Sequence, residues 1–262
     1  MRIPVTRSVL RLCENILMMG TGRRRVYLMR HGHVDYFNAK AEEFDDVLLT
    51  PDGMEQADAA GLALQHIPFD IAVCSGLPRT IQTGERVLAR QSAAPKLTIE
   101  RRLSEVKGGI LKATSREEVA AHLAYSFDDA ATPGATFLPG GEAYEDAQAR
   151  VTDGLSDLLT SGDWSVALIV AHEGVNRILL GWVTGGGLKT VGAFEQDLGC
   201  INVLDFDITP ATSGDGLQIE RGIVKALNVT AYDYVKHGLS RTSLEHLFDI
   251  DFGGSRPSRS EF

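Results

Sequence analysis

Cysteine is scarce in this chain: Cys13, Cys74 and Cys200 are the only three among 262 residues. An odd, widely scattered set excludes a disulfide framework and a zinc knuckle, and it suits a reducing, cytoplasmic compartment. Long apolar runs are also missing, and no stretch approaches the roughly 18 apolar residues of a membrane span. There is no basic excess either: 26 Lys and Arg face 35 Asp and Glu, for a net charge of −9. A nucleic-acid binder carries a basic face, so neither nucleic acid nor membrane is expected as a partner. An anionic small substrate stays open, because a local arginine cluster can dominate the field inside a cleft. Nothing in the composition speaks to oligomeric state.

Acid is nearly absent from the first 24 residues, where Glu14 stands against Arg2, Arg7, Arg11 and the run Arg23-Arg24-Arg25 that leads into the first strand. A secretory signal needs an unbroken apolar core, which Arg11, Glu14 and Asn15 interrupt. An organellar transit peptide is the sharper reading. The expectation is an N-terminal extension over residues 1–24, with Met18-Met19 leaving room for a downstream start.

What is present is an alternation of strands and helices. Val26-Tyr27-Leu28-Met29 is a compact apolar run that stops at Arg30-His31-Gly32. Thr50 and Pro51 set up a helix as N-cap and first helical residue, and Pro68 ends it. Asp70 to Cys74 predicts a second strand, followed by Ser75-Gly76-Leu77-Pro78 and a helix through Leu88. Leu97 to Ile99 predicts a third strand, and a short helix is expected near Glu117–Leu123. An amphipathic helix follows over Glu142 to Leu159. Val166 to Val170 is the clearest buried strand and ends in Ala171-His172-Glu173-Gly174, with a helix from Val175 to Val183. Cys200 to Phe206 and Leu217 to Val224 predict later strands. The pattern is an α/β fold: a three-layer open, mostly parallel sheet with helices on both faces. One domain is expected over residues 25–252, with a disordered Gly/Ser/Arg/Pro tail at 253–262.

Several polar residues follow directly on the carboxyl ends of buried strands, where open α/β sheets place ligands. Arg30 and His31 follow the first, Ser75 through Arg79 the second, and His172 the strongest. Two histidines and two arginines converging there suit a small anion, because the planar guanidinium gives phosphate bidentate hydrogen bonds and keeps its charge. Arg79 also lies just after Pro78, near a helix N-terminus. A neutral imidazole at His31 can act as the in-line nucleophile for a phosphoryl group, provided its other nitrogen is held. Gly32 permits the close backbone approach this requires. His172 can stabilise charge on the transferring group, and a carboxylic acid is still needed for the leaving oxygen.

Four blocks carry a resemblance: Leu28-Met29-Arg30-His31-Gly32; Leu49-Thr50-Pro51-Asp52-Gly53-Met54-Glu55-Gln56-Ala57; Ser75-Gly76-Leu77-Pro78-Arg79-Thr80-Ile81-Gln82-Thr83; and Val170-Ala171-His172. Together they resemble the histidine phosphatase superfamily, the phosphoglycerate-mutase-like group with an Arg-His-Gly signature, over about Val26 to Leu227. The resemblance implies a phosphoglycerate-mutase-like fold and a phosphomonoesterase working through a phosphohistidine on His31, without metal or cofactor. Arg30, Arg79 and His172 would form the phosphate pocket, and Glu105, in Leu103-Ser104-Glu105, would donate the proton. Gly140-Gly141-Glu142 resembles the Gly-Glu-Ser that opens a later helix of the family.

Three positions depart from the family pattern. His33 stands where Glu or Gln is usual, Phe37 takes the place of a pocket Asn with Asn38 one residue later, and Glu173 replaces a common Gly. Asn38, Ser75 and His33 are candidate substrate contacts beside Arg30 and Arg79, although a turn residue or helix cap explains Asn38 and Ser75 as well. Mutases of the family carry a long insertion between the acid and the Gly-Glu segment. Here 35 residues lie between Glu105 and Gly141, which favours hydrolysis.

Competing chemistries are specific. His31-Gly32-His33-Val34-Asp35 has the His-x-His-x-Asp spacing of some metallohydrolases. Such sites usually add another His after the Asp, where Tyr36 stands, and the metal reading leaves Arg30 and Arg79 unexplained. A His-Glu-x-x-His zinc helix fails because Asn176 occupies the last position. A tyrosine-phosphatase loop on Cys74 would require Arg at the place of Thr80. A non-catalytic phosphate binder would not need His31, Glu105 and His172 together. Among substrates, phosphosugars, phosphoglycerates, nucleotide-like monophosphates and phosphoproteins all remain open.

Overall fold

The computed structural model describes residues 20–36, 45–110, 122–123, 125–214 and 216–247. Residues 1–19, most of the short helix expected near Glu117–Leu123, Asn38 and the 253–262 tail lie outside them.

Strands β1 (Gly22–Arg30), β2 (Ile71–Cys74), β3 (Leu97–Ile99), β4 (Val166–Ala171), β5 (Ile201–Pro210) and β6 (Leu217–Val229) form one sheet in the order β3-β2-β4-β1-β5-β6. The first four neighbours are parallel, and β5 and β6 are antiparallel additions. Successive side chains point to opposite faces of a strand, so the continuous apolar runs of β1 and β4 require cover on both sides. That cover is provided. Val26, Leu28, Ala167 and Ile169 pack with α3 (Tyr144–Thr160) and α4 (Glu173–Val183), through Leu155, Leu159, Ile178 and Leu179. Tyr27, Met29, Leu168 and Val170 pack with α1 (Pro51–Leu64) and α2 (Pro78–Leu88), through Ala60, Leu64, Val87 and Leu88. The three-layer α/β expectation holds. Among the described residues no helix is long and apolar enough to cross a membrane.

Thr50 caps α1 as expected, its Oγ1 accepting from Gly53 N at 3.2 Å. Other boundaries moved. α3 starts at Tyr144 because Glu142 is drawn off to Arg150 at 2.7 Å, and α4 starts at Glu173 with His172 as its N-cap. Beyond β6, a five-residue helix α5 (Ser243–Leu247) was not expected. The exposed edge of β6 is blunted by irregular register against β5, which discourages pairing with a further strand.

The sheet begins earlier than hydropathy indicates. β1 starts at Gly22, so Arg23 and Arg24, read above as part of the extension, lie in the ladder opposite Asp207 and Phe206. Arg24 is 1 % exposed. Its Nη1 donates to Ser161 O at 2.7 Å and Nη2 to Gly162 O and Gly20 O at 2.7 and 2.9 Å. The guanidinium lies 4.6 Å from the centre of the Trp164 ring. A buried cation thereby satisfies the open carbonyls where α3 turns into β4. Arg24→Met keeps the volume and removes every donor, and should cost about 2–4 kcal/mol in urea unfolding. Arg23→Met, at an exposed ion pair, should stay within about 0.5 kcal/mol. Equal losses in the two variants would refute the carbonyl-anchoring role.

Candidate active site

β4 lies between β1 and β2, so three strand ends meet at one level. Arg30, the last residue of β1, is in register with Ala171. His31 N donates to Ala171 O at 3.2 Å, and Ser75 N donates to Val170 O at 3.3 Å. His172 follows β4 directly. The turn after β1 sits on the start of α1 with no room for side chains. A Cβ on Gly32 would strike the Gly53 carbonyl, and one on Gly53 would strike the His33 backbone. This explains why Gly32 and Gly53 appear in separate motifs. Thr83 Oγ1, from α2, accepts Gly32 N at 3.2 Å, and Gln56 Oε1, from α1, accepts His33 N at 2.8 Å.

The rings of His31 and His172 stand edge to face with centroids 5.2 Å apart, and the residues are 3 % and 0 % exposed. His31 Nδ1 lies 2.7 Å from Gly32 O, so a neutral ring donates from Nδ1 and keeps its lone pair on Nε2. His172 Nε2 lies 2.7 Å from Ser75 Oγ, which lies 3.0 Å from Thr80 Oγ1. Thr80 spends its only hydroxyl proton on Leu77 O at 2.8 Å. Thr80 must then accept from Ser75, and Ser75 must accept from His172 Nε2–H. The lone pair of a neutral His172 therefore falls on Nδ1. Burial, then the charge of Arg79, holds both imidazoles well below the ordinary value of 6.5.

Arg30 and Arg79 are 2 % and 3 % exposed. Arg30 Nη1 donates to Gln196 O, and Nη2 pairs with Glu173 Oε2 at 3.0 Å. Arg79 reaches back to Asp45 O at 3.5 Å, with its guanidinium 5.9 Å from the centre of the Tyr36 ring. Arg30 Nε and His172 Nδ1 are buried with no hydrogen-bond partner among the described residues. Buried polar groups are ordinarily satisfied, so the Arg30 Nε–H marks where an incoming oxygen is expected, and His172 Nδ1 becomes a donor beside it once the ring is protonated.

Glu105 closes the site from the loop after β3. Its Oε1 accepts Val106 N at 2.8 Å and its Oε2 accepts Gly174 N at 3.4 Å. Burial raises its pKa above 4.5, against the pull of those N–H groups and of Arg79 and Arg30.

The remaining expectations divide. Ser75 is not placed as a substrate contact: it is fully buried, and its hydroxyl is used on His172 and Thr80. His33 is partly buried with Nδ1 2.8 Å from Thr50 Oγ1. Asn38 lies outside the described residues. His31 and His33 direct their Nδ1 atoms to different partners, and no group of three or more His, Cys, Asp or Glu converges as a metal site among the described residues. Thr80, Thr83, Gln196 and Tyr36 were missed as site residues. Thr83 follows Arg79 by one helical turn and Thr80 stands in the same motif block, a signal that was available; Gln196 had none.

Comparison with known proteins agrees with this geometry. The family model for the histidine phosphatase superfamily, branch 1, matches residues 26–211. The adenosylcobalamin/α-ribazole phosphatase of Salmonella typhimurium is 27 % identical over 183 residues, covering 69 % of this chain and 90 % of that protein. A 2,3-bisphosphoglycerate-dependent phosphoglycerate mutase of Cytophaga hutchinsonii is 31 % identical over 163 residues, covering 58 % and 74 %. Among solved structures, a mycobacterial glucosyl-3-phosphoglycerate phosphatase with inorganic phosphate superposes with a TM-score of 0.60 at 21 % identity, covering 79 % of this chain and 98 % of that one. With the Arg-His-Gly turn, the second histidine and both arginines gathered at the strand ends of a matching fold, the chain belongs to the histidine phosphatase superfamily, branch 1.

Proposed function

We propose that this protein hydrolyses a small phosphomonoester in two steps through a phosphohistidine on His31. The observation that carries the reading is the Nδ1 contact to Gly32 O at 2.7 Å, which leaves Nε2 as the nucleophilic lone pair beside two buried arginines. Nε2 attacks phosphorus, the bond to the alcohol oxygen breaks, and Glu105 delivers its proton to that oxygen. Arg30, Arg79 and His172 receive the equatorial oxygens, where the negative charge is spread. The substrate dianion offsets the arginines, so His172 can take up a proton and donate from Nδ1. Water then attacks phosphorus, Glu105 accepts its proton, the N–P bond breaks, and phosphate leaves.

The α-ribazole phosphatase and glucosyl-3-phosphoglycerate phosphatase relatives favour an alcohol phosphate as substrate. The mutase relative keeps transfer to a second substrate as the other reading. The domain expected over residues 25–252 holds every group this mechanism uses. A cytoplasmic setting fits the buried free thiols of Cys74 and Cys200.

Rapid quenching with labelled substrate should trap an acid-labile phosphoenzyme, absent in an inactive His31→Ala variant. Turnover should survive EDTA. Full activity in His31→Ala would sink the mechanism, and loss to EDTA restored by zinc would move the chemistry to His31, His33 and Asp35.

Glu105→Gln should slow single-turnover phosphoenzyme formation from alkyl phosphates by roughly 10²–10⁴-fold and spare activated aryl phosphates. The raised pKa of Glu105 carries a pH signature: wild-type kcat/KM for alkyl esters should fall as pH climbs through that pKa. Equal losses for both ester types would assign the acid elsewhere.

Ser75→Ala removes the acceptor that fixes the His172 tautomer. The specificity constant should drop about tenfold, one buried hydrogen bond's worth, with thermal stability nearly kept. An unchanged constant would show that the ring is held by packing alone.

A further inference from the structure

The residue after the second histidine is a buried carboxylate that takes no part in the mechanism above. Glu173 is 4 % exposed. Its Oε2 pairs with Arg30 Nη2 at 3.0 Å. Its Oε1 accepts Arg177 Nε and Nη2 at 3.1 and 2.8 Å and Ser243 Oγ at 2.5 Å. Arg177 Nη2 also reaches Glu195 Oε2 at 3.1 Å, and Glu195 Oε1 accepts Ser243 N at 2.8 Å. Two arginines and two carboxylates thus form a closed, neutral cluster against one wall of the phosphate pocket. Ser243, 3 % exposed, brings the segment after β6 into it, beyond the 26–211 family match.

Local structure favours this placement. Glu173 is the first residue of α4, where a helix favours an acid, and it pairs with Arg177 one turn on. Arg30 and Arg177 thus occupy both of its oxygens.

We propose that Glu173 is a charge-balancing residue of the phosphate pocket, offsetting Arg30 so that inorganic phosphate, the product, is held loosely enough to leave. The proposal rests on the reading that Arg30 binds the phosphoryl group. A pocket in which Arg30 and Arg79 both act at full charge would bind every phosphate dianion tightly. Binding substrate, product and transition state alike lowers KM without raising kcat. A fixed anion behind Arg30 trims this uniform attraction, while Gln196 O keeps the guanidinium in place.

The test is calorimetric titration of inorganic phosphate and of vanadate into the full chain. Glu173→Gln should tighten phosphate binding by roughly tenfold, the scale of one charge removed several ångströms away at an effective dielectric of about 20. Product inhibition should strengthen in parallel. Structural damage would weaken binding, so the sign separates the two roles. If Glu173→Gln does not fold, Glu195→Gln serves: it leaves Arg177 to Glu173 alone, draws that carboxylate away from Arg30, and should tighten binding about two- to threefold. Asp207→Asn, in β5 opposite Arg23 at the far end of the sheet, should change nothing. Unchanged or weaker phosphate affinity in the folded variant overturns the proposal. If the wild type binds neither phosphate nor vanadate, the reading of the pocket itself fails instead.

Discussion

The parallel ladder between β1 and β4 runs in unbroken register from the Arg25–Val166 pair to the Arg30–Ala171 pair, and the next N–H, that of His31, still reaches Ala171 O at 3.2 Å. This pairing forces the residue after each strand to emerge at the same height, side by side. The two imidazoles meet because two apolar strands end together. A slip of one residue in either strand would turn its apolar set to the other face and part the histidines. Catalytic geometry is therefore guarded by the most buried hydrogen bonds and apolar contacts of the protein, whose disruption would cost the core before it cost the site.

Charge is the second constraint. Burying Arg30 and Arg79 beside two imidazoles is expensive in a low-dielectric interior, and the imidazoles respond by staying neutral. Arg30 is partly compensated by Glu173 and by the Gln196 carbonyl. What remains is a net demand for negative charge, focused at Arg30 Nε, which has no hydrogen-bond partner among the described residues. In the proposed reading a phosphate dianion meets that demand before any chemistry occurs.

Much of this was legible in the sequence, for reasons that also explain the failures. Strand ends were readable because Val26–Met29 and Val166–Val170 are short apolar runs broken by Arg and His, and burial on two faces leaves that signature. The Thr50 cap was readable because its chemistry is local. Arg24 was misread because a buried arginine satisfied by carbonyls leaves no mark in hydropathy. Ser75 stood at the right strand end, but which way a hydroxyl points depends on Thr80 and His172, the latter 97 residues away. Glu173 registered in the sequence as a departure from a common Gly; its partners Arg30 and Ser243 are 143 and 70 residues distant, and only the folded chain joins them.

Glu105 shows how opposed influences set a proton's affinity. It accepts two backbone N–H groups, one at the start of α4, and both Arg79 and Arg30 act on it; each of these favours the carboxylate. Burial and the nearby Glu173 charge favour the acid, and the sum lies upward. After the Val106 N–H, the lowering influences are the two arginines, whose charge an arriving phosphate dianion offsets. In the proposed mechanism substrate binding thus weakens an influence that opposes a protonated Glu105 and adds a negative charge of its own beside it. On that reading the acid holds its proton most firmly when the ester is in place, and releases it as the leaving oxygen gains charge and phosphorus moves toward His31.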